Sequence, residues 1–447
     1  MALAPDEKLH FWPVKTMSDD TVRSVPGTED MLPRQRGWWR KLQRSARRLF
    51  ETYGYGHLRT PVIEYSTLFE KGTGETTDIV EKQMYTLSGD EDITLRPEGT
   101  PPAIRTYLEN SLHKTGRFQK FYYMGPMFRR ERPQKGRLRQ FHQAGVEAIG
   151  SDSPLTDAET IILAADIYRD AGLEDFTVLI NSIGCDCRDD YRAEVYELLQ
   201  DDRDRLCEDC RKRMERNVFR VLDCKKKGCQ KVVEDLPVIT DYLCDACSEH
   251  YAMVKGALDD ADVDYEEEPR LVRGLDYYTR TVFEIKHPGL GARDTICGGG
   301  RYDDLVELLG GPSIPCVGFA MGMEASVLAL EAEHGEPESV EPRPLVYAVS
   351  FEKPARAENF RLIQELRSEG IIAEMDFEQR SAKAQMRMAD SCGAPLAVLT
   401  GGREMEEGVA MLKEMQDGEQ WDVPREDAVG EIREFLRRNG HLAASGG

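Results

Sequence analysis

The chain has 447 residues, with 59 Lys+Arg against 81 Asp+Glu and a formal charge of −22. At roughly 150 residues per domain this length suggests about three domains. Apolar residues at 40% and charged residues at 31% exclude global disorder, which needs fewer apolar side chains. No run approaches the roughly 18 apolar residues of a spanning helix, and the N-terminal MALAPDEKLHFWPVK lacks a signal-peptide core. The expectation is a cytoplasmic protein with no membrane segment. So acidic a chain repels phosphate backbones, and any nucleic-acid contact must use local basic patches. Eleven cysteines are many for a reducing compartment, where pairs read as metal ligands before disulfides.

Residues 1–23 carry no pattern and read as a flexible extension, with Met17 an alternative start. From Gln35 to Tyr53, Trp38, Leu42, Ala46, Leu49 and Phe50 follow helical spacing, and Gly54 sits where the helix would stop. An extended piece around Pro61 and a loop-rich stretch to Leu87 follow. Residues 117–150 read as two long strands joined by a turn at 132–136. The segment from about 185 to 250 is Cys-rich, highly charged and short of strand pattern, as an inserted module would be. Strand texture returns at 271–286, 293–302 and 317–321, with a helix beginning near Glu324. The Glu- and Pro-rich stretch 331–344 reads as a linker. Beyond it, strands 345–350, 371–376 and 395–400 alternate with helices 354–369 and 381–391. A hairpin turning at Asp417-Gly418 and a helix over 426–438 complete a βαβαβ unit with a parallel or mixed sheet.

The densest chemical signal is Arg129-Arg130-Glu131-Arg132-Pro133-Gln134-Lys135-Gly136-Arg137-Leu138-Arg139, in which six of eleven positions are basic. At a strand end, arginine pairs bidentately with phosphate; the alternative is a solvated hairpin tip. Gln143 and Glu147 lie four apart on the returning strand and therefore share a face, with Arg129 near that face across the hairpin. A cation, an amide and a carboxylate facing one way suit a small zwitterion held beside a phosphate.

These residues belong to a longer set. ThrLeuArgProGluGlyThr (94–100) and residues 124–143 resemble the second signature motif of the histidyl-tRNA synthetase family, in class II of the aminoacyl-tRNA synthetases. LeuValArgGlyLeuAspTyrTyrThrArgThrValPheGlu (271–284) resembles its histidine-specific motif. CysGlyGlyGlyArgTyrAsp (297–303) and ValGlyPheAlaMetGlyMetGlu (317–324) are similar to the second histidine element and the third class motif. GlyThrGluAspMetLeuPro (27–33) matches the family's opening, and ThrProValIleGlu (60–64) its dimer-interface motif. The resemblance implies an α+β fold: a catalytic domain over 24–335 built on an antiparallel six- or seven-stranded sheet with a Cys-rich insertion, then an α/β anticodon-binding domain over 344–440. It implies a histidine–tRNA ligase that joins L-histidine and ATP into histidyl-adenylate and transfers histidine to tRNA(His), as a homodimer.

By motif position, the resemblance implies that Arg129 and Arg273 are catalytic, approaching the α-phosphate from opposite sides. Glu98 and Thr100 would receive the α-amino group, with Gly99 letting the backbone come close, and Gln143, Glu147, Tyr277, Tyr278 and Tyr302 would line the rest of the histidine pocket with both arginines. A neutral imidazole offers one donor and one acceptor, so Glu147 and a tyrosine hydroxyl can read both edges. Taken alone, Tyr277 and Tyr278 would read as a strand-packing pair. Arg129, Glu131, Arg137 and Glu324 are the ATP candidates, with Mg2+ on the phosphates. One position departs from the family. Its third motif ends in an arginine that reaches the γ-phosphate, and here that position is Ala325. Either another cation, Arg137 or Arg293, takes over, or ATP use is impaired. The rival readings are a catalytically silent synthetase-like regulatory subunit of ATP phosphoribosyltransferase, which lacks the anticodon domain, and a synthetase-like RNA-binding or sensor module.

In the insertion, Cys207-x2-Cys210 and Cys244-x2-Cys247 each place two thiolates on one tight turn, as structural zinc requires. The two pairs, about 34 residues apart, form the expected four-Cys Zn2+ site. Cys224 and Cys229 compete for places in it, and with Cys185 and Cys187 eight thiols would suffice for two ions. Cys297, Cys316 and Cys392 read as core or near-site thiols.

Overall fold

The computed structural model describes residues 22–33, 36–74, 77–116, 118–132, 137–337 and 343–442, without the side chains of 292 and 293. The expectations for residues 1–21 and for the 133–136 turn lie outside the described residues. The chain forms two compact units, divided between residues 339 and 340.

In the first unit, α1 (Gly37–Thr52) buries Trp39, Leu42, Ala46, Leu49 and Phe50 on one stripe, and the chain turns at Gly54 with φ of 81°. After β1 (Gly56–His57), the stretch that reads as loop-rich contains β2 (Ile63–Tyr65), α2 (Ser66–Thr73) and β3 (Tyr85–Thr86), followed by β4 (Ile93–Leu95). Strands of two or three residues are too short to show alternation. α3 (Thr100–Glu109) carries prolines in its first turn, where their missing N–H costs nothing. The long hairpin of β5 (Gln119–Phe128) and β6 (Gln140–Ile149) pairs in continuous register from Gln119↔Ile149 to Phe128↔Gln140. α4 (Pro154–Ala171) and β7 (Thr177–Ser182) lead to the insertion, which is helical: α5 (Arg188–Asp201), α6 (Glu208–Met214), α7 (Phe219–Leu222), α8 (Lys227–Glu234) and α9 (Asp245–Asp260). β8 (Glu266–Glu267), β9 (Thr279–Lys286), β10 (Thr295–Arg301), α10 (Leu305–Leu308), β11 (Cys316–Gly322) and α11 (Met323–His334) complete the unit.

Among the described residues the large sheet has eight strands in the order β1-β5-β6-β11-β10-β9-β7-β8. The inner six are antiparallel, whereas β1 and β8 add to the edges in parallel. The expected six- or seven-stranded antiparallel sheet is thus the centre of an eight-stranded mixed one. Two further expectations are corrected. Residues 271–278 are not strand: Arg280 takes a positive φ of 49° and donates its N–H to Gly184 O at 2.8 Å, so the ladder starts only at β9. The helix α11 runs to His334 and ends at Gly335, φ 77°, inside the stretch that reads as linker. One face of the sheet packs on α1, α4, α9 and α11 through Phe50, Ile161, Tyr168, Phe283 and Leu330. The opposite side carries the rest of the insertion, α5 to α8, and the site.

The second unit comprises β12 (Val346–Ser350), α12 (Lys353–Ser368), β13 (Ala373–Met375), α13 (Ala382–Ser391), β14 (Leu396–Thr400), α14 (Gly402–Glu407), β15 (Val409–Glu414), β16 (Gln420–Pro424) and α15 (Ala428–Arg438). Its sheet order is β13-β12-β14-β15-β16, parallel among the first three and antiparallel after that. The β15–β16 hairpin turns at Asp417, whose carboxylate accepts the Glu419 N–H at 2.9 Å. The six-residue α14 is too short to show a period in the sequence.

Candidate active site

The strands β6, β10 and β11 form the floor of the site. Glu147 on β6 is fully buried opposite Gly318 on β11. A side chain at Gly318 would place its Cβ 2.2 Å from Glu147 Oε2, so the Gly-rich strand makes room for the carboxylate. Glu147 accepts from Thr100 Oγ1 at 2.7 Å and from the Tyr302 hydroxyl. Burial pushes its carboxyl up to about 8, against the pull of those donors. Next to it Glu98, also buried, accepts from Thr73 Oγ1 at 2.7 Å and from the Tyr277 hydroxyl at 3.0 Å. Burial raises Glu98 as well, while Arg129 draws it back. The rings of Tyr277, Tyr278 and Tyr302 pack at 4.7 Å and 5.6 Å between neighbours. At Gly99 the ring of Tyr123 fills the space a side chain would take, 2.3 Å from the Cβ position.

Arg129 leaves the end of β5. Its Nε donates to Pro97 O at 3.0 Å and its guanidinium lies over the Phe141 ring at 5.1 Å. Burial lowers its pKa, Glu98 raises it and the nearby Arg273 lowers it again. Arg273 pairs with Glu284 on β9, which also accepts from Thr295 Oγ1 at 3.0 Å. Burial would lower Arg273, but Glu284, Tyr278 and Cys297 together outweigh it and the pKa rises. Glu284 faces Gly298 across the β9–β10 ladder, and a Cβ at Gly298 would lie 2.1 Å from the Arg273 guanidinium. Glycine at 298 therefore seats the arginine.

The two arginines line a cavity of about 250 Å³. Arg137 also lines it and pairs with the buried Glu131, so two of the ATP candidates neutralise each other. Glu324 sits elsewhere, bracing β6: its carboxylate accepts the His142 N–H at 2.9 Å and meets His142 Nδ1 at 2.9 Å. Gln143 lies on β6 with its Oε1 buried and without a partner among the described residues. The Arg293 side chain lies outside the described residues. Sequence reasoning missed Thr73 and Glu284, which hold Glu98 and Arg273, and it missed Arg213 and Arg220 of the insertion, which line the same cavity. No spacing singles out two arginines in so charged a segment.

The cysteines are grouped differently from the expectation. Cys207 and Cys210 do not meet Cys244 and Cys247. Among the described residues, Cys207, Cys210, Cys224 and Cys229 form one cluster, and Cys185, Cys187, Cys244 and Cys247 another, with the sulfurs of each within 4.8 Å. The topology explains this. Cys185 and Cys187 follow β7 where the chain leaves the sheet, and Cys244 begins α9 where it returns, so that cluster closes the base of the insertion. The Cys185–Cys244 and Cys187–Cys247 sulfur separations are 3.9 Å, and Cys207–Cys224 is 4.0 Å. Tetrahedral zinc with Zn–S of about 2.3 Å sets sulfurs about 3.8 Å apart, so both donor sets fit the ion in type, number and spacing.

The family model described as "Histidyl-tRNA synthetase" matches residues 27–325, and that described as "Anticodon binding domain" matches residues 346–435. The "Histidine--tRNA ligase" of Halothermothrix orenii is 46% identical over 418 residues, 93% of this chain and 100% of that protein. The crystal structure of apo S. aureus histidyl-tRNA synthetase superposes with a TM-score of 0.77 at 35% identity, covering 92% of this chain and 100% of that one. A Bacillus halodurans chain titled "ATP phosphoribosyltransferase regulatory subunit/histidyl-tRNA synthetase" shares the fold, at a TM-score of 0.61 and 20% identity, over 85% of this chain and 98% of that one. The fold is that of a class II aminoacyl-tRNA synthetase. The chain belongs to the histidyl-tRNA synthetase family.

Proposed function

We propose that the protein is a working histidine–tRNA ligase rather than a silent paralogue. The observation that carries this reading is the pair Arg129 and Arg273, both half-buried and lining one cavity. Two neighbouring guanidiniums partly withdrawn from water, one already holding Glu284, present a site for an anion between them. In the first step a histidine carboxylate oxygen attacks the α-phosphorus of ATP and the bond to the β-phosphate breaks, releasing pyrophosphate. Both partners are anionic, and the arginines neutralise charge and fix the line of attack. In the second step a terminal ribose hydroxyl of tRNA(His) attacks the adenylate carbonyl and AMP leaves.

Glu98, with Thr73 and Tyr277 holding it, is placed to receive the ammonium group. Glu147, with Thr100 and Tyr302, faces the imidazole, and a wrong amino acid would leave these buried groups unpaired. Magnesium would enter on the nucleotide, with Asp78 and Asp223 the carboxylates that line the cavity and hard oxygen donors of the type it takes. Each Cys cluster would hold one structural Zn2+, with all four thiols as thiolates. A homodimer is proposed through the segment around Pro61, where Val62, Ile63 and Tyr65 are exposed apolar residues. The site of action would be the cytoplasm; no helix among the described residues is long and apolar enough to cross a membrane.

Histidine-dependent ATP–pyrophosphate exchange tests the reading. Exchange with histidine alone among the twenty amino acids is expected; no exchange, or exchange with another amino acid, would overturn it.

A further inference from the structure

The cavity between the two catalytic arginines is not built by the catalytic sheet alone. Arg129, Arg137 and Arg273 come from the catalytic module, whereas Arg213, Arg220 and Asp223 reach it from the insertion. Arg213 stands in the last turn of α6 and donates to Asp78 at 3.1 Å. Arg220 stands on α7 and holds both oxygens of Asp276 at 3.0 and 3.1 Å, with Asn217 on the same carboxylate at 2.7 Å. Asp276 lies in the loop between Arg273 and Tyr277, so the insertion grips the segment that presents both.

The helices carrying these arginines have seven and four residues, too few to persist on their own hydrogen bonds. What surrounds them is the second thiol cluster. Cys207 is the N-cap of α6 and Cys210 lies within it, three residues before Arg213. Cys224 follows Arg220 by four residues, and the sulfur of Cys229, on α8, accepts the Cys207 N–H at 3.2 Å. One ion bound by four thiolates would tie α6, the end of α7 and α8, the elements that carry or flank the two arginines, to a single point.

We propose that the Cys207–Cys210–Cys224–Cys229 cluster binds a zinc ion that holds Arg213 and Arg220 on the catalytic cavity, with Arg213 a ligand of the ATP phosphates and Arg220 a positioning residue for the Asp276 loop. The proposal rests on the ligase reading for the identity of the nucleotide. It supplies the cavity with a cation from the insertion, in a chain whose third motif carries Ala325 in place of an arginine. The lining supports it: among the described residues five arginines face the cavity. Glu131, Glu284, Asp276 and Asp78 each pair with one of them, but so many guanidiniums around one cavity suit a polyphosphate, whose oxygens can take their remaining N–H donors. Cysteine chemistry supports the metal, because four soft thiolates at tetrahedral spacing select zinc over the hard cations.

The test uses full-length protein purified without chelators, with zinc counted by mass spectrometry and ATP and histidine binding measured separately by calorimetry. Cys224→Ser is expected to lower zinc by one ion per chain and to weaken ATP binding at least tenfold. Arg213→Ala is expected to reproduce the ATP loss while keeping its zinc and binding histidine within twofold of wild type. That variant separates a missing cation from an unfolded insertion. Arg220→Ala should weaken histidine binding as well as ATP, and Arg220→Lys should recover part of both. Zinc-free wild-type protein with full ATP affinity, or Arg213→Ala with unchanged ATP affinity, overturns the proposal. A wild type that binds ATP but fails histidine-dependent exchange overturns the ligase reading instead, and the Arg213→Ala result still decides this one. A wild type that binds no ATP overturns both.

Discussion

The floor of the site and its insertion supply charge to the same cavity by opposite means. On the floor, each functional group stands on a long antiparallel sheet or is tied to it, and a second group holds it: Glu147 of β6 by Tyr302 and Thr100, and Arg273, in the loop before β9, by Glu284 of β9. In the insertion, short helices rely on thiol clusters and on carboxylates lent by the floor, Asp78 and Asp276. The difference teaches where each part will fail. Charges on the floor are sequestered and interdependent, so removing one strands another. Most charges of the insertion are bathed in water and can be lost singly at little cost.

The largest expected effect lies at the hinge between the two regions. Arg301 on β10 is fully buried and donates to Asp157 of α4 through Nε at 3.1 Å, and to Ser151 O at 2.9 Å. His250 of α9, the helix that returns from the insertion, meets the same Asp157 carboxylate at 2.8 Å. Burial alone would raise Asp157, but His250 and Arg301 hold it below the usual range. A depressed carboxylate contributes stability that is present above its unfolded pKa and is lost as pH falls through its folded one. Asp157→Asn should destabilise the first unit by up to about 3–5 kcal/mol, because the buried Arg301 loses its main counter-charge and keeps only Asp303, at 3.1 Å. Lys212→Ala, which breaks an exposed pair with Glu208, should leave stability almost unchanged beside it, because solvent screens the pair. Urea unfolding followed by tryptophan fluorescence checks both, and equal losses would erase the distinction between the regions.

Next in size is Arg273→Ala. It should slow pyrophosphate exchange by roughly 10²–10³-fold, the usual cost of one donor aimed at transition-state charge, while histidine binding changes much less. Glu284→Gln keeps the guanidinium but loosens its seat over Gly298, and should cost less than the deletion. Unchanged exchange kinetics in Arg273→Ala would refute the assigned role.

Smaller again is a pH effect. With its carboxyl pushed up to about 8, Glu147 is mostly protonated at pH 7 in the free protein and ionises as pH rises. Only the ionised form accepts from both Tyr302 and an imidazole N–H. The histidine Michaelis constant should therefore fall between about pH 7 and pH 8.5, by up to about tenfold per unit below the midpoint. The stability change has the opposite sign: the folded state holds a proton that the unfolded chain has lost above about pH 4.5, so stability declines as pH rises towards 8. In Glu147→Gln both trends should flatten. A Michaelis constant for histidine that is level across this range would remove Glu147 from the imidazole edge.

How much was legible in the sequence follows the same division. The alternation of β5 and β6, the Gly-rich β11 and the βαβαβ unit are local patterns, and the motifs brought Glu98, Arg129, Glu147, Arg273, Tyr277 and Tyr302 to one place. The family itself was legible on those motifs. What the sequence hid was tertiary pairing. CxxC spacing identifies a knuckle but not its partner, so Cys207 and Cys210 were matched to Cys244 and Cys247 rather than to Cys224 and Cys229. The loop at 271–278 has strand-like composition, and only the positive φ at Arg280 and the burial of two tyrosines turn it out of the sheet. Arg213 and Arg220 stand in a segment where charge is everywhere, and nothing local distinguishes a guanidinium that reaches a cavity from one that reaches solvent.

The smallest predicted effect separates floor from insertion most sharply. Ala325 follows Glu324 in the first turn of α11 and is half-buried beside the apolar core, with its Cβ about a van der Waals contact from the Cβ position of Gly322, at 3.7 Å. If the floor alone had to clamp the terminal phosphate, the missing guanidinium would cost roughly 1.5–3 kcal/mol, the worth of one hydrogen bond to a charged group. Ala325→Arg would then lower the ATP Michaelis constant about 10- to 150-fold. If Arg213 already neutralises that phosphate, the new arginine meets a satisfied anion and a cavity that is already cation-rich, and the gain should stay below about threefold. The decisive form of the measurement is a double-mutant cycle in exchange kinetics. Ala325→Arg should do little in the wild-type background and much more in Arg213→Ala, because two cations competing for one phosphate are not additive. Equal gains in both backgrounds would show that floor and insertion serve different phosphates, and a large gain in wild type would return the clamp to the sheet.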